Sequence, residues 1–388
     1  MTLPLTGVKV LDLSRVLAGP FATQLLGDLG ANVVKVEHTV RGDDTRQWGP
    51  PFAGGESAYF LSTNRNKRSL TADLRNADDL ARVTALASTA DVVIENFRRG
   101  ALARFGLDYP TLRTRNPALV YCSITGFGPG QDQDLPGYDF LVQARGGIMG
   151  ITGAAGGEPT KVGVAVADMV CGLYAASAIL AALYRRQISG TGEAIEVPLF
   201  ETQISWLANR AQEFLISGED QGRLGNAHPS IVPYQVFQAA DKPLALAVGN
   251  DAQFRKLCAA LDRPELADDT RFATNPERVR HREPLVFTLA ATFAKRPAAE
   301  WIAQLQNVGV PCGPLNDLAA VFADSHLRSS GMLQTITHPS AGEVPMLASP
   351  ICFAGERLPI RRPPPRHGEH SSQIAAQGWE EDNAPLQS

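Results

Sequence analysis

One carboxylate stands where a carboxylate needs a reason. The run Val162–Tyr184, VGVAVADMVCGLYAASAILAALY, is built of apolar and small residues, and its only carboxylate is Asp168. Such a group is costly to bury unless it is hydrogen-bonded, paired or put to use. Two compatible readings follow. Asp is a favoured helix N-cap, and Met169–Arg186 reads as a buried helix beginning just after it. A nucleophilic carboxylate at the same place would be kept ionised by the positive end of the helix dipole. The run is long enough to span a bilayer, but its Ala and Gly content and its Asp make a core helix the better expectation.

Two basic clusters carry the next signal: Asn64–Arg68 (NRNKR), with Arg75 close behind, and Asn96–Arg104 (NFRRGALAR). Arg at a strand end suits phosphate oxygens through its bidentate fork; the competing reading is a solvated surface patch. The strand-like DVVIE (Asp91–Glu95) directly precedes the second cluster, at the strand end where open α/β sheets bind ligands. No GxGxxG or GxxxxGK[ST] follows the first strand, which argues against dinucleotide and P-loop chemistry. The glycine-dense Thr125–Gly137 and Gly146–Gly157 read as flexible loops, or as backbone brought close to a ligand. His228 lies in HPSIVPY, and no second acid or histidine is tied by spacing to Asp168. A GxSxG elbow and a metal-ligand cluster are both missing from the sequence.

These residues need a scaffold, and the first two hundred positions alternate strands with helices. Val8–Leu13, Asn32–Glu37, Ser69–Asp73, Asp91–Glu95, Leu119–Ile124 and Glu193–Val197 read as strands. Ala18–Gly30, Asp78–Ser88, Gly100–Phe105, Pro110–Arg115 and Ala167–Gln187 read as helices, giving an α/β layout with an open, mostly parallel sheet. After a helix near Gln203–Ile216 a polar stretch, GEDQGRLGNAHPS, reads as a linker into a compact α+β unit. Its strands fall at Val232–Gln238 and Leu244–Val248, and its helices at Ala252–Leu261, Val279–Phe293 and Pro297–Val308.

The 388 residues carry 36 Lys and Arg against 40 Asp and Glu, a balance that gives no reason to expect nucleic acid or an anionic membrane as partner. Five cysteines, Cys122, Cys171, Cys258, Cys312 and Cys352, include no CxxC pair. Neither zinc nor a disulfide framework is indicated, and a reducing, cytoplasmic setting is expected. The N-terminus enters a strand without a basic and apolar leader.

Taken together the chain resembles the class III CoA-transferases, the formyl-CoA transferase/carnitine-CoA transferase family. The matching segments are GVKVLDLSRVLAGPFATQLLGDLGANVVKVE, GDDTR at Gly42–Arg46, NRNKRS at Asn64–Ser69 and ADVVIENF at Ala90–Phe97. SITGFG, PGYD at Pro136–Asp139, GVAVADMVCGLYA around Asp168 and NVGVPCGPLND at Asn307–Asp317 follow in order. VLAGPFATQLLGDLGA, DDTRQWGPPF, YFLSTNRNKRS and HPSIVPYQVF point to the succinate/glutarate/hydroxymethylglutarate subgroup.

The resemblance implies that Asp168 is the nucleophile, forming an aspartyl-acyl anhydride. It implies CoA contacts at Val16, Leu17, Ala18, His38, Ala72, Asp73, Leu74, Arg75, Asn96, Phe97, Arg98, Arg104 and Tyr138. His38 replaces an arginine of the formyl-CoA transferase type, so Arg41 is expected to supply the charge. Leu17 replaces a glutamine, and that type's glycine-rich loop is lacking, which speaks against oxalate and formate. The implied substrates are succinyl-CoA and a C4–C6 dicarboxylate, the acid being held by Arg46, His228 and Ser230. A CoA thioester is then substrate, and no tightly bound cofactor or metal is expected. The implied architecture is a Rossmann-like large domain at 1–203, a linker at 204–228, a small α+β domain at 229–325 and a returning segment at 326–388, paired in an interlocked homodimer. The rival is the 2-methylacyl-CoA racemase branch, whose GHD histidine is Tyr138 here. A tyrosine does not serve as that base near neutral pH without a large pKa shift.

Overall fold

A computed structural model describes residues 2–380. The chain forms two compact units: one runs to Ile148 and includes Val162–Gln212 and the residues from Ser325, the other is Met149–Lys161 with Glu213–Asp324.

In the first unit six strands alternate with helices. They are β1 (Lys9–Asp12), α1 (Ala18–Asp28), β2 (Asn32–Glu37), α2 (Ala58–Thr63), β3 (Lys67–Thr71), α3 (Ala77–Thr89), β4 (Val92–Glu95), α4 (Tyr109–Arg115), β5 (Val120–Thr125), α5 (Asp139–Arg145), α6 (Val166–Ser189), β6 (Ala194–Pro198) and α7 (Leu199–Ser205). The sheet order is β3-β2-β1-β4-β5-β6 and every pairing is parallel. Because a strand alternates its side chains, both faces of the sheet must be apolar where helices cover both. Val10, Val33, Val92 and Ile94 pack on one face with Ala22 and Leu26 of α1 and Cys171, Ala175 and Ile179 of α6. Leu11, Val34, Val93 and Tyr121 face the other way, onto Val83 and Leu86 of α3 and Leu112 of α4. The long apolar helix α6 is thus a core helix on one side. It lies tight on α1 because residue 172 is glycine: a Cβ there would stand 2.7 Å from the Ala18 carbonyl oxygen.

The returning segment closes this unit. An antiparallel ribbon, Leu333–His338 with Gly342–Leu347, is followed by the helix Ser371–Gln377, which adds Ile374 and then Trp379 to the α3 face. Here the Asn64–Arg68 cluster finds its partners. All five residues are buried, so the cluster is neither a surface patch nor a phosphate site. Arg68 donates to the carbonyls of Trp379 and Glu380, and Asn66 Oδ1 accepts from the amides of Arg361 and Arg362. Arg65 is paired with Asp28, and Lys67 with Asp12.

The second unit has a three-stranded antiparallel sheet, Tyr234–Gln238, Pro243–Ala247 and Cys312–Pro314, with the middle strand central. Phe237, Leu244, Phe254, Leu289, Phe293 and Trp301 form its core with the helices Asp251–Ala260, Arg282–Phe293 and Ala298–Asn307.

Several local expectations shift. β3 begins two residues before the expected Ser69, since Lys67 and Arg68 are consumed by buried partners. The expected helix Gly100–Phe105 is one 3₁₀ turn, Ala103–Phe105. The helix expected near Gln203–Ile216 is present as two, Leu199–Ser205 and Ala208–Ser217, the second inside the 204–228 stretch. Residues 149–161 group with the second unit rather than the sheet. The Thr125–Gly137 loop is fastened at its ends: a Cβ on Gly137 would lie 2.1 Å from the Gly126 Cα, so backbone packs on backbone.

Candidate active site

Helix α6 begins without a cap of its own. Ala165 precedes it and offers no side-chain oxygen, and Asp168 is the third helical residue, not the N-cap. The acceptor comes from α5, where Asp139 Oδ1 takes the Ala167 N–H at 2.8 Å. The Asp168 carboxylate is half-buried and accepts no hydrogen bond among the described residues. Burial pushes its pKa up to about 7, and the charge of Asp139 adds to the rise. The helix dipole, expected to keep Asp168 ionised, is opposed by burial and by Asp139, which takes the Ala167 amide at the positive end of the helix.

Tyr59 of α2 completes the surroundings. Its ring meets Trp48 edge-on, with centroids 5.2 Å apart. Burial, followed by the charges of Asp168, Asp139 and Asp43, raises its phenol to about 12. Tyr59 is thus a neutral hydroxyl donor at physiological pH, next to a carboxylate whose pKa is pushed up to about 7.

Asp43 leads to a cavity of about 380 Å³ at the carboxyl ends of β1, β2, β3 and β4. This is the crevice where the strand order reverses, the ligand position of doubly wound sheets. Its wall carries Arg15, Lys35, Glu37, His38, Arg41, Asp43, Ala72–Arg75, Phe97 and Arg104. The floor is a buried ion network. Lys35 Nζ lies 2.8 Å from Asp43, and burial, which would lower the ammonium pKa, is outweighed by Asp43, Asp12 and Glu37. Burial would raise Asp43, but Lys35 dominates and holds it down at about 2. Asp43 also accepts the Val16 amide at 3.3 Å, fixing Val16 at φ +71°. A β-branched residue held in that region stores strain of order 1–3 kcal/mol, a feature that clusters at ligand sites. Above the floor Arg41, Arg75 and Arg104 are exposed, with Arg75 aligned by Asp73 at 2.9 Å.

Of the positions expected to meet CoA, His38, Ala72, Asp73, Leu74, Arg75, Phe97 and Arg104 line this cavity, as does Arg41. Val16, Leu17, Ala18, Asn96, Arg98 and Tyr138 are outside its lining. Asn96 holds the β1–α1 loop instead, exchanging two hydrogen bonds with the backbone of Arg15. Arg98 and Tyr138 are exposed. Arg46 departs from the substrate role expected of it. Its guanidinium is forked onto Glu37 at 2.7 and 2.8 Å, reaches Glu56 and stacks on Phe60, so its charge is already neutralised. His228 and Ser230 belong to the second unit, where His228 Nδ1 accepts the Ser230 amide at 3.1 Å and Ser230 donates to Glu213.

Lys35, Glu37, Asp43, Tyr59 and Asp139 have no role assigned to them from the sequence. A signal for the first two was present: NVVKVE is a parallel strand, and charges inside a strand buried on both faces call for partners. Tyr59 and Asp139 stand in the matching segments YFLSTNRNKRS and PGYD, but nothing along the chain ties them to Asp168, because the helices that bring them there start about 110 and 30 residues earlier.

Among known proteins, the model of CoA-transferase family III matches residues 5–371. The succinate–glutarate CoA-transferase of Agrobacterium fabrum is 46% identical over 96% of this chain and 95% of its own. The human succinyl-CoA:glutarate CoA-transferase is 41% identical over 96% of this chain and 85% of its own. A CAIB/BAIF family protein of Brucella suis, known from its crystal structure, superposes with a TM-score of 0.85 at 46% identity, covering 97% of this chain and 99% of its own. A nucleotide-sized crevice rimmed by arginines, a carboxylate that titrates near neutrality and this likeness along the whole chain agree: the protein belongs to CoA-transferase family III and is a CoA-transferase.

Proposed function

We propose that this enzyme moves CoA between succinyl-CoA and a C4–C6 dicarboxylate such as glutarate, through a covalent anhydride on Asp168. The observation that carries the reading is the half-buried Asp168 carboxylate, unbonded among the described residues and close to neutral in pKa. Such a carboxylate is partly ionised near neutral pH and gains by losing its charge. Its oxygen attacks the thioester carbonyl, the C–S bond breaks, and the electron pair leaves on the CoA sulfur. The acceptor carboxylate then attacks the Asp168 carbonyl, expels the donor acid and leaves the acceptor joined to Asp168. The thiolate takes the acceptor acyl group and frees Asp168. No proton moves in any step. The neutral Tyr59 hydroxyl suits the developing oxyanion, and water must be kept out because hydrolysis would waste the anhydride. The strand-end cavity takes the phosphate-bearing part of CoA, with Arg41, Arg75 and Arg104 as its cations. The names of the relatives support the choice of acids.

The working form on this reading is a homodimer in the cytoplasm. Phe140, Leu141, Leu173, Tyr174, Tyr184 and Ile188 leave a large apolar surface exposed on the first unit, which supports the pairing. The unpaired cysteines support a reducing compartment. The reading is tested with Asp168→Asn. Transfer from succinyl-CoA to glutarate is expected to be abolished while CoA binding stays within about threefold. Hydroxylamine added to the native enzyme with succinyl-CoA is expected to convert Asp168 to the hydroxamate, detected by peptide mass spectrometry. Substantial transfer by the Asn variant, once amide hydrolysis is excluded, would sink the assignment.

A further inference from the structure

Asp139 and Gln143, one turn apart on α5, grip the segment that leads into α6 at both its ends. Asp139 Oδ1 accepts the Ala167 N–H at 2.8 Å, and its Oδ2 accepts the Gln143 side-chain N–H at 2.7 Å. Gln143, fully buried, spends its other end on the Val162 amide at 2.9 Å. With Ala165 at the cap position, this borrowed carboxylate is the side-chain cap that the helix otherwise lacks. An anion on those amides also takes up the positive potential that a third-position aspartate would enjoy.

We propose that Asp139 is a positioning residue for the transferase reaction: it fixes the first turn of α6 and, by its charge, favours the acylated, uncharged state of Asp168 over the free carboxylate. The proposal rests on Asp168 being the nucleophile. The ionisable groups that bear on Asp168 are Asp139 from α5, Tyr59 from α2 and, one turn along α6, Cys171. Tyr59 and Cys171 are both pushed up to about 12 and stay neutral in the working range, which leaves Asp139 as the charge that acts. In the acylation step the negative charge leaves Asp168 with the C–S electron pair and settles on the departing sulfur, so like-charge repulsion from Asp139 is relieved as the anhydride forms.

The test compares Asp139→Asn with Gln143→Ala. Asn keeps an oxygen for the Ala167 amide and removes the charge; Gln143→Ala keeps the charge and cuts the second half of the grip. For Asp139→Asn the acid limb of kcat/KM is expected to move down by about one pH unit. The hydroxylamine-trapped fraction of Asp168 at steady state is expected to fall several-fold. For Gln143→Ala the limb should stay in place while kcat drops. A limb that does not move in Asp139→Asn overturns the proposal, since a merely structural cap would lower only the melting temperature. A limb displaced in Gln143→Ala overturns it as well, and this variant carries the test alone should Asp139→Asn not fold. Absence of any hydroxamate on Asp168 in the native enzyme would instead defeat the nucleophile assignment itself.

Discussion

At the third position of a helix a carboxylate ordinarily gains from the amide dipoles, and its pKa falls. Asp168 does the opposite because it is half-buried and has a second carboxylate at the same helix end. The consequence for pH is definite. The folded-state value of about 7 lies above the ordinary 3.8, so the folded protein binds this proton more tightly than the unfolded chain does. The stability contributed is fully present below about pH 4 and is lost as pH rises through about 7, while the nucleophile becomes available over the same upper range. kcat/KM is therefore expected to rise with pH along a single-proton limb near 7, measured from pH 5.5 to 8.5. Asp168→Asn is expected to unfold at higher urea than the native enzyme at pH 8, by on the order of 1–3 kcal/mol, with the advantage shrinking as pH falls toward 4. An equal or lower urea midpoint at pH 8 would show that the carboxylate carries no electrostatic penalty.

The strand ends of the sheet act as a unit. β1, β2 and β3 contribute Asp12, Lys35, Glu37 and Lys67, and all four are buried. Pairing offsets their desolvation; with one partner removed, the other is stranded in low dielectric. Lys67→Met is expected to lower stability by about 3–5 kcal/mol because Asp12 is left unpaired, and a chemical-denaturation curve measures it. The exposed layer above has the opposite character. Arg75→Ala or Arg104→Ala is expected to weaken CoA binding by about 5–30-fold, more at low salt than at high. Arg98→Ala, outside the cavity, is expected to leave CoA affinity within about twofold by titration calorimetry. At this scale the sequence was readable where periodicity governs: five of the six strands and helices α1, α3 and α6 follow their apolar patterns. It misled where charge was concerned. NRNKR looks the same whether its residues face solvent or the carbonyls of a segment some three hundred residues away.

Across the whole chain, the first unit is completed only by its last stretch. Trp379 caps the α3 face and its indole donates to Leu86 and Thr89, while Arg361 donates to the carbonyls of Gly27 and Ala31. The sheet unit is thus assembled from three separate stretches of chain. On the proposed pairing, the exposed aromatic and aliphatic side chains of α5 and α6 are covered by the second subunit. Light scattering is expected to give twice the 41.6 kDa chain mass; a monomer at micromolar concentration would count against the paired form.

What the sequence determined by itself is local and periodic: the parallel α/β alternation, the apolar helix carrying Asp168, and an order of motifs specific enough to name a family. These survive reading along the chain because a strand and a helix repeat every two and 3.6 residues. Tertiary structure alone decided which charges are spent and which are free. It turned Arg46 and the NRNKR cluster inward, brought Lys35 and Asp43 under the crevice, and gave the capping of the helix start to Asp139, which takes the Ala167 amide, rather than to Asp168. The physical reason is that a charge takes its meaning from its dielectric and its partner, and both are supplied by residues far away in sequence.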